Sequence, residues 1–196
     1  MATITLLRHG RTTANAGGLL QGRIDNPLDD VGLSQAESAA RALGPVDRVV
    51  SSPLLRARQT ASKLGCDVEI DDAWIELDYG EWDGQPMRDV PTDVWTRWRT
   101  DMDLRPPGGE TLAELGTRVR AALDDLATRA LPGHTVIVSH VSPIKASVAW
   151  ALGVGDEISW RTTLTTGSYT QLGLHGERVS LEAFNVVPPP PPREDH

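Results

Sequence analysis

Two histidines and two arginines in this chain stand at points where apolar runs stop. Ile4, Leu6 and Leu7 lead directly into Arg8-His9-Gly10-Arg11-Thr12. A short apolar run closed by glycine reads as a buried strand entering a turn. In an open α/β sheet, side chains at the carboxyl end of a strand sit where ligands bind. Residues 135–139 form a second apolar run, and it ends in His140. A third run, 46–50, ends at Ser51-Ser52-Pro53, and the helix expected behind it carries Arg56 in its first turn. If these strands are parallel, His9, His140, Arg8 and Arg56 converge on one edge of the sheet, while Arg58 lies on another side of its helix. Guanidinium groups grip phosphate or carboxylate bidentately. Imidazole carries protons or attacks electrophiles near neutral pH, and helix starts offer free N–H groups to anions. For the Arg8-His9 segment taken alone, the bland alternative is a surface imidazole beside a solvated arginine.

The elements that must position these groups follow in order. Residues 12–24, rich in Gly, Asn and Thr, read as a loop with a turn of helix. Asp29-Asp30 opens a helix whose apolar positions are Leu33, Ala36, Ala40 and Leu43, stopped by Gly44-Pro45. Ser52 as N-cap with Pro53 at the first helical position opens the next helix, and residues 67–70 form a short strand. The β-α-β-α-β order predicts an α/β fold: three layers, α/β/α, around a mostly parallel central sheet. Residues 72–109 differ in texture, with Trp74, Trp82, Trp95 and Trp98 among several prolines. They read as short helical pieces covering one end of the sheet, the tryptophans packing a small core or touching substrate. Thr111 and Glu114 make a capping box for a long amphipathic helix that runs to Pro132-Gly133. Residues 146–152 read as helix, 162–166, 168–174 and 179–184 as strands, the last two forming a hairpin through His175-Gly176-Glu177. Residues 1–186 are expected to form one domain and the proline-rich 187–196 a disordered tail.

Composition narrows the function classes. A chain of 196 residues with 39% hydrophobic and 23% charged content suits one soluble globular domain. A net charge of −8 argues against nucleic acid or an anionic membrane as partner, but not against a small anionic substrate in a locally positive pocket. One cysteine, Cys66, excludes an internal disulfide and a cysteine-based zinc finger. The apolar run at the start is too short for a signal peptide, so the expected location is cytoplasmic. Nothing in the sequence bears on oligomeric state.

Several spaced motifs together resemble the histidine phosphatase superfamily, also called the phosphoglycerate-mutase-like family. They are Arg8-His9-Gly10 with Asn15; Gln21 through Pro27-Leu28 to Gly32; Ser51-Ser52-Pro53 with Arg56-Ala57 and Thr60-Ala61; Glu76 with Gly80 and Gly84; and Ser139-His140. The resemblance spans nearly all of residues 2–184. It implies a metal-independent phosphatase, without cofactor, that hydrolyses a small phosphorylated metabolite. His9 is then the nucleophile that becomes phosphohistidine, Glu76 the general acid and later base, and Arg8, Arg56 and His140 donors to the phosphoryl oxygens. Asn15, Gln21 and the backbone N–H groups of Gly22 and Val141 join them as substrate-binding groups. Arg11, where many relatives have an acid or Gln, adds charge at the entrance. Arg23, Trp82 and the stretch from Trp95 to Arg105 are the further candidates for selectivity. A general acid must begin protonated, which a dry or anionic setting favours.

Rival readings are distinguishable. A cofactor-dependent phosphoglycerate mutase shares the histidine motifs but carries a longer insert between Glu76 and His140 than this chain has. A catalytically dead binding module is disfavoured by the joint presence of His9, Arg8, Arg56, Glu76 and His140. A metal site lacks any local ligand spacing such as HExxH, and no GxGxxG follows the first strand to suggest a dinucleotide.

Overall fold

A computed structural model describes residues 2–128, 133–176 and 178–190. Six strands form one sheet in the order β3-β2-β4-β1-β5-β6. They are β1 (Ala2–Arg8), β2 (Arg48–Ser51), β3 (Val68–Ile70), β4 (His134–Ser139), β5 (Tyr169–His175) and β6 (Arg178–Val186). The pairs β1–β4, β4–β2 and β2–β3 are parallel; β5 runs antiparallel to both β1 and β6. The expected three-layer α/β fold with a mostly parallel sheet is the observed one.

Both faces of the central strands are covered, which is why their sequences are continuously apolar. On one face Ile4, Leu6 and Ile137 pack with Leu115, Val119 and Leu123 of α5 (Leu112–Thr128) and Ile144 of α6 (Val141–Leu152). On the other, Leu7, Val49, Val136 and Val138 meet Ala39 of α2 (Asp30–Leu43) and Ala57 and Ala61 of α3 (Leu55–Ala61). Successive strand residues point to opposite faces, so Leu6 and Leu7 serve different layers. The capping box holds as read: Thr111 Oγ1 accepts from Glu114 N–H at 3.1 Å, and Glu114 accepts from Thr111 N–H at 3.0 Å. α2 is capped by Asp29, which accepts from Gly32 N–H at 2.8 Å. α1 (Thr13–Ala16) is the single helical turn expected after β1, and α4 (Thr92–Trp98) with several 3₁₀ turns makes up the cover.

Three expectations need correction. Ser52 is not the cap of α3, which begins at Leu55 with no side-chain cap. Ser52 Oγ instead accepts from Leu54 N–H at 3.3 Å and faces His140. Residues 162–166 are no strand. The threonines there suit one, but the chain folds back over the end of β1. Gly167, at φ +72°, donates to His9 O, and Arg8 N–H donates to Ser168 O. α6 begins at Val141, directly after His140, because Pro143 in a first helical turn lacks only an N–H that needs no partner there. Of the expected tail, 191–196 lie outside the described residues, as does Glu177 of the hairpin turn. Val187, Pro188 and Pro190 share a groove with Val31, Ser34 and Gln35 of α2. No helix among the described residues is long and apolar enough to cross a membrane.

Candidate active site

The register of β1 against β4 creates the site. Arg8 lies opposite Ser139, so the next residues, His9 and His140, leave the sheet side by side. Their ring centroids are 5.0 Å apart and their planes inclined by 56°. His9 Nδ1–H donates to Gly10 O at 2.7 Å, which leaves the lone pair on Nε2. Gly10 N–H is fixed in turn by Thr60 Oγ1 at 3.1 Å, whose hydroxyl donates to Arg56 O at 2.8 Å. The tautomer of His140 is the reverse. Arg56 can only donate, and its Nε–H points to His140 Nδ1 at 3.3 Å, so His140 Nε2–H donates to Ser52 Oγ at 2.7 Å. Burial, then the positive charges of Arg56 and Arg8, hold the His9 pKa well below its usual 6.5. His140 is lowered likewise by burial and then Arg56. Two neutral imidazoles thus share one positively charged setting.

His9 opens into a cavity of about 410 Å³ whose wall includes Arg8, Arg11, Asn15, Gln21, Glu76 and Val141. Burial lowers the Arg8 pKa to about 10 against the pull of Glu76; the guanidinium stays charged at neutral pH. Arg8 donates through NH1 to Leu164 O, while its buried Nε–H has no partner among the described residues. Gln21 repeats the pattern: its Oε1 accepts from the Thr12 hydroxyl at 2.8 Å, and its buried Nε2 is left over. An unmet buried donor costs about 1–3 kcal/mol, so two on residues that line one cavity favour an oxygen-rich anion there. Asn15 Oδ1 accepts from Thr12 N–H, leaving its NH₂ for the cavity. Arg11 is held by Asp29 at 2.8 Å, the same carboxylate that caps α2.

Glu76 sits 4% exposed on the cavity wall. Its Oε1 accepts from Leu77 N–H at 2.8 Å and Ser142 N–H at 3.2 Å, and its Oε2 from Val141 N–H at 3.1 Å. Oε2 therefore keeps one free lone pair, the position at which it can carry a transferable proton. This contact corrects one expectation: the Val141 N–H belongs to Glu76, and Val141 meets the cavity through other atoms. Gly22 needs the same correction, since its N–H donates to Asp83 Oδ1 at 2.8 Å. Arg56 and His140, expected as donors to the phosphoryl oxygens, are both 0% exposed and do not line this cavity, and the one N–H of His140 is taken by Ser52. A buried guanidinium must find acceptors. Besides His140, Arg56 takes Ile24 O at 2.9 Å and Gly22 O at 2.7 Å, leaving two of its five N–H groups unused. Arg23, Trp82 and Arg105 do not line the site: Arg23 pairs with Asp78 and Glu110, Trp82 packs against Trp98, and Arg105 pairs with Glu114.

Two residues that hold the site escaped the sequence reading. Asp83 accepts from the N–H groups of Gly22, Arg23 and Ile24 at 2.8, 2.8 and 2.9 Å, thereby fixing the carbonyls that Arg56 grips. Arg118 on α5 donates to the carbonyls of Ala73, Ile75 and Glu76 and pairs with Glu110. A polar residue on an amphipathic helix carries no sequence signal for such a role. Asp83 had at least its place between two motif glycines, Gly80 and Gly84.

Residues 4–187 match the family described as histidine phosphatase superfamily (branch 1). The chain is 35% identical over 187 residues to a bifunctional protein of Mycobacterium tuberculosis, Rv2228c, an alignment covering 90% of this chain but 51% of that protein. It thus spans about half the length of that relative. A phosphoserine phosphatase from Entamoeba histolytica, solved as a histidine-to-alanine variant with phosphoserine, superposes with a TM-score of 0.88 at 26% identity, covering 95% of this chain and 98% of that one. The mycobacterial glucosyl-3-phosphoglycerate phosphatase Rv2419c, solved with VO₃, gives 0.86 at 31% identity over 94% and 99% of the two chains.

Proposed function

This chain belongs to branch 1 of the histidine phosphatase superfamily, and from that premise we propose that it is a metal-independent phosphatase of small phosphorylated metabolites. One observation carries the reading: a neutral His9 with its Nε2 lone pair available, on a cavity also lined by Arg8 and Gln21, each with a buried donor unmet. In the first step His9 Nε2 forms a bond to phosphorus as the ester P–O bond breaks. The leaving oxygen takes the proton carried by Glu76 Oε2. Arg8, Gln21 and Asn15 donate to the equatorial phosphoryl oxygens, where charge collects in the transition state. In the second step water attacks phosphorus, its proton passes to Glu76, and the P–N bond breaks to release phosphate and His9. Arg56 sets the tautomer of His140 and holds the 22–24 loop, while burial and the charges of Arg56 and Arg8 keep His9 unprotonated. The phosphoserine and glucosyl-3-phosphoglycerate phosphatases that the chain resembles support the substrate class, not the individual substrate.

The test is a panel of phosphomonoesters, including phosphoserine and 3-phosphoglycerate, assayed with EDTA. Turnover of several esters with EDTA present is expected, with loss by at least ~1,000-fold in His9→Ala, the scale for a removed nucleophile. Turnover abolished by EDTA, or retained by His9→Ala, overturns the reading. Conversion of 3-phosphoglycerate to its 2-isomer without phosphate release identifies the mutase alternative.

A further inference from the structure

A second cavity, about 230 Å³, adjoins the first and shares Leu20, Tyr79, Met87 and Val141 with it. Its wall is unusually aromatic: Tyr79, Trp95, Trp98 and Trp160. Trp95 and Trp98 lie nearly parallel, with centroids 5.6 Å apart, and Trp160 meets Trp95 edge-on at 6.1 Å. The one cation on this wall is Lys145, half-buried on α6. Its ammonium has three N–H donors and uses one, to Ser159 O at 2.6 Å; among the described residues it has no carboxylate partner. Burial pulls its pKa below the usual 10.5, opposed by the Glu76 carboxylate and aided by Arg8. An aromatic cleft with a cation that has no carboxylate at ion-pair distance among the described residues, opening onto the first cavity, fits the rest of the substrate better than it fits a packing defect.

We infer that the second cavity binds the alcohol portion of the substrate, and that this portion presents a flat apolar face to the tryptophans and a carboxylate to Lys145. The inference rests on the proposed phosphatase reading and narrows it to one substrate class, carboxylated esters with an aryl or comparably flat leaving group. The tryptophan rings that line the cavity supply dispersion contact, and the carboxylate supplies an acceptor for the two remaining ammonium N–H groups. Space equal to roughly eight waters, at ~30 Å³ each, admits a single ring with its substituent. Small polar esters reach the first cavity without filling the second.

Three esters with similar leaving groups separate these contributions: propyl phosphate, benzyl phosphate and 4-(carboxymethyl)benzyl phosphate. The expected order of kcat/KM rises along that series, by about tenfold for the carboxylate step, the scale of one good ionic contact. Lys145→Met is expected to abolish the carboxylate step and leave benzyl phosphate within about threefold, with Lys145→Arg restoring part of it. Trp160→Leu is expected to reduce both aryl esters relative to propyl phosphate. If Lys145 only braces Ser159, all three esters fall together in Lys145→Met, and the proposal is overturned. It is overturned equally if wild type shows no preference along the series. The corresponding carboxylated benzylphosphonate, which cannot be hydrolysed, gives a readout independent of turnover. Quenching of tryptophan fluorescence that weakens about tenfold in Lys145→Met supports the pocket even if no ester is hydrolysed, whereas absence of quenching in wild type refutes it.

Discussion

Arg118 is the residue through which α5 controls the proposed proton donor, and its removal tests how rigidly Glu76 must be held. The guanidinium reaches Ala73 O at 2.7 Å, Ile75 O at 2.8 Å and Glu76 O at 3.3 Å, and both Glu110 oxygens at 2.8 and 3.1 Å. The side chain is 22% exposed and that of Glu110 14%. Arg118→Met keeps the stem but strips three carbonyls of their shared donor and leaves the Glu110 carboxylate with Arg23 at 3.3 Å. Breaking a buried pair costs about 3–5 kcal/mol; the partial exposure argues for the lower end, about 3 kcal/mol. At 2–4 °C per kcal/mol for a domain of this size, Tm should fall by roughly 6–12 °C. With the segment 73–76 released, Glu76 shifts relative to His9, and an error near 1 Å costs on the order of 100-fold in rate. The loss should depend on the leaving group. An alkyl phosphate needs the proton from Glu76, whereas p-nitrophenyl phosphate expels a stable anion without it. Thermal unfolding and steady-state kinetics on both substrates measure this. Arg118→Lys should fall between the two, since one ammonium cannot span three carbonyls. An unchanged Tm, or equal losses on both substrates, would refute the positioning argument.

Other outcomes follow from the same contacts. Because the His9 pKa is lowered well below 6.5, His9 stays unprotonated as pH falls through 6.5, and kcat/KM of the free enzyme should show no acid limb at the ordinary histidine pKa. Stability has the opposite sensitivity. The unfolded chain takes up protons below pH 6.5 that buried His9 and His140 refuse, so unfolding should become easier by up to about 1.4 kcal/mol per pH unit for each, followed by denaturant titration. Gly10→Ala would place a Cβ 2.2 Å from Gly32 O, a backbone atom of the first turn of α2. We expect about 1–3 kcal/mol of destabilisation from the forced shift, with activity lost because the His9 ring hangs from Gly10 O. Thr111→Ala removes a capping hydroxyl and should cost about 1 kcal/mol with kcat unchanged, which would separate capping from any contact with substrate.

What could be read in the sequence was what local pattern and chain order determine. The strand ends at His9 and His140 were legible because buried parallel strands are uniformly apolar and stop abruptly. Their adjacency, however, depends on the β1–β4 pairing across more than a hundred residues. Arg8 follows from its place at the end of the first strand, Asn15, Gln21 and Glu76 from the family resemblance, and the geometry brings all four to one cavity. Backbone partners were not legible. The N–H groups of Gly22 and Val141 were expected to face phosphate, yet tertiary contacts give them to Asp83 and Glu76. Local preference makes Ser52 a cap, but a long-range partner, His140, decides its place. The threonines of 162–166 carried a strand preference that the fold-back over β1 overrode. Arg118 lies on a helix whose periodicity is clear and Lys145 just ahead of the helix expected from 146, but periodicity says which face is apolar and not what a polar side chain will grip.

The most direct measurement is to quench the enzyme in base during turnover and analyse the intact protein and its peptides by mass spectrometry. A single phosphoryl group should appear on the peptide containing His9, stable in base, lost in acid, and absent from His9→Ala. Steady turnover with no phosphorylated protein, or a phosphoryl group on any other residue, would contradict the account.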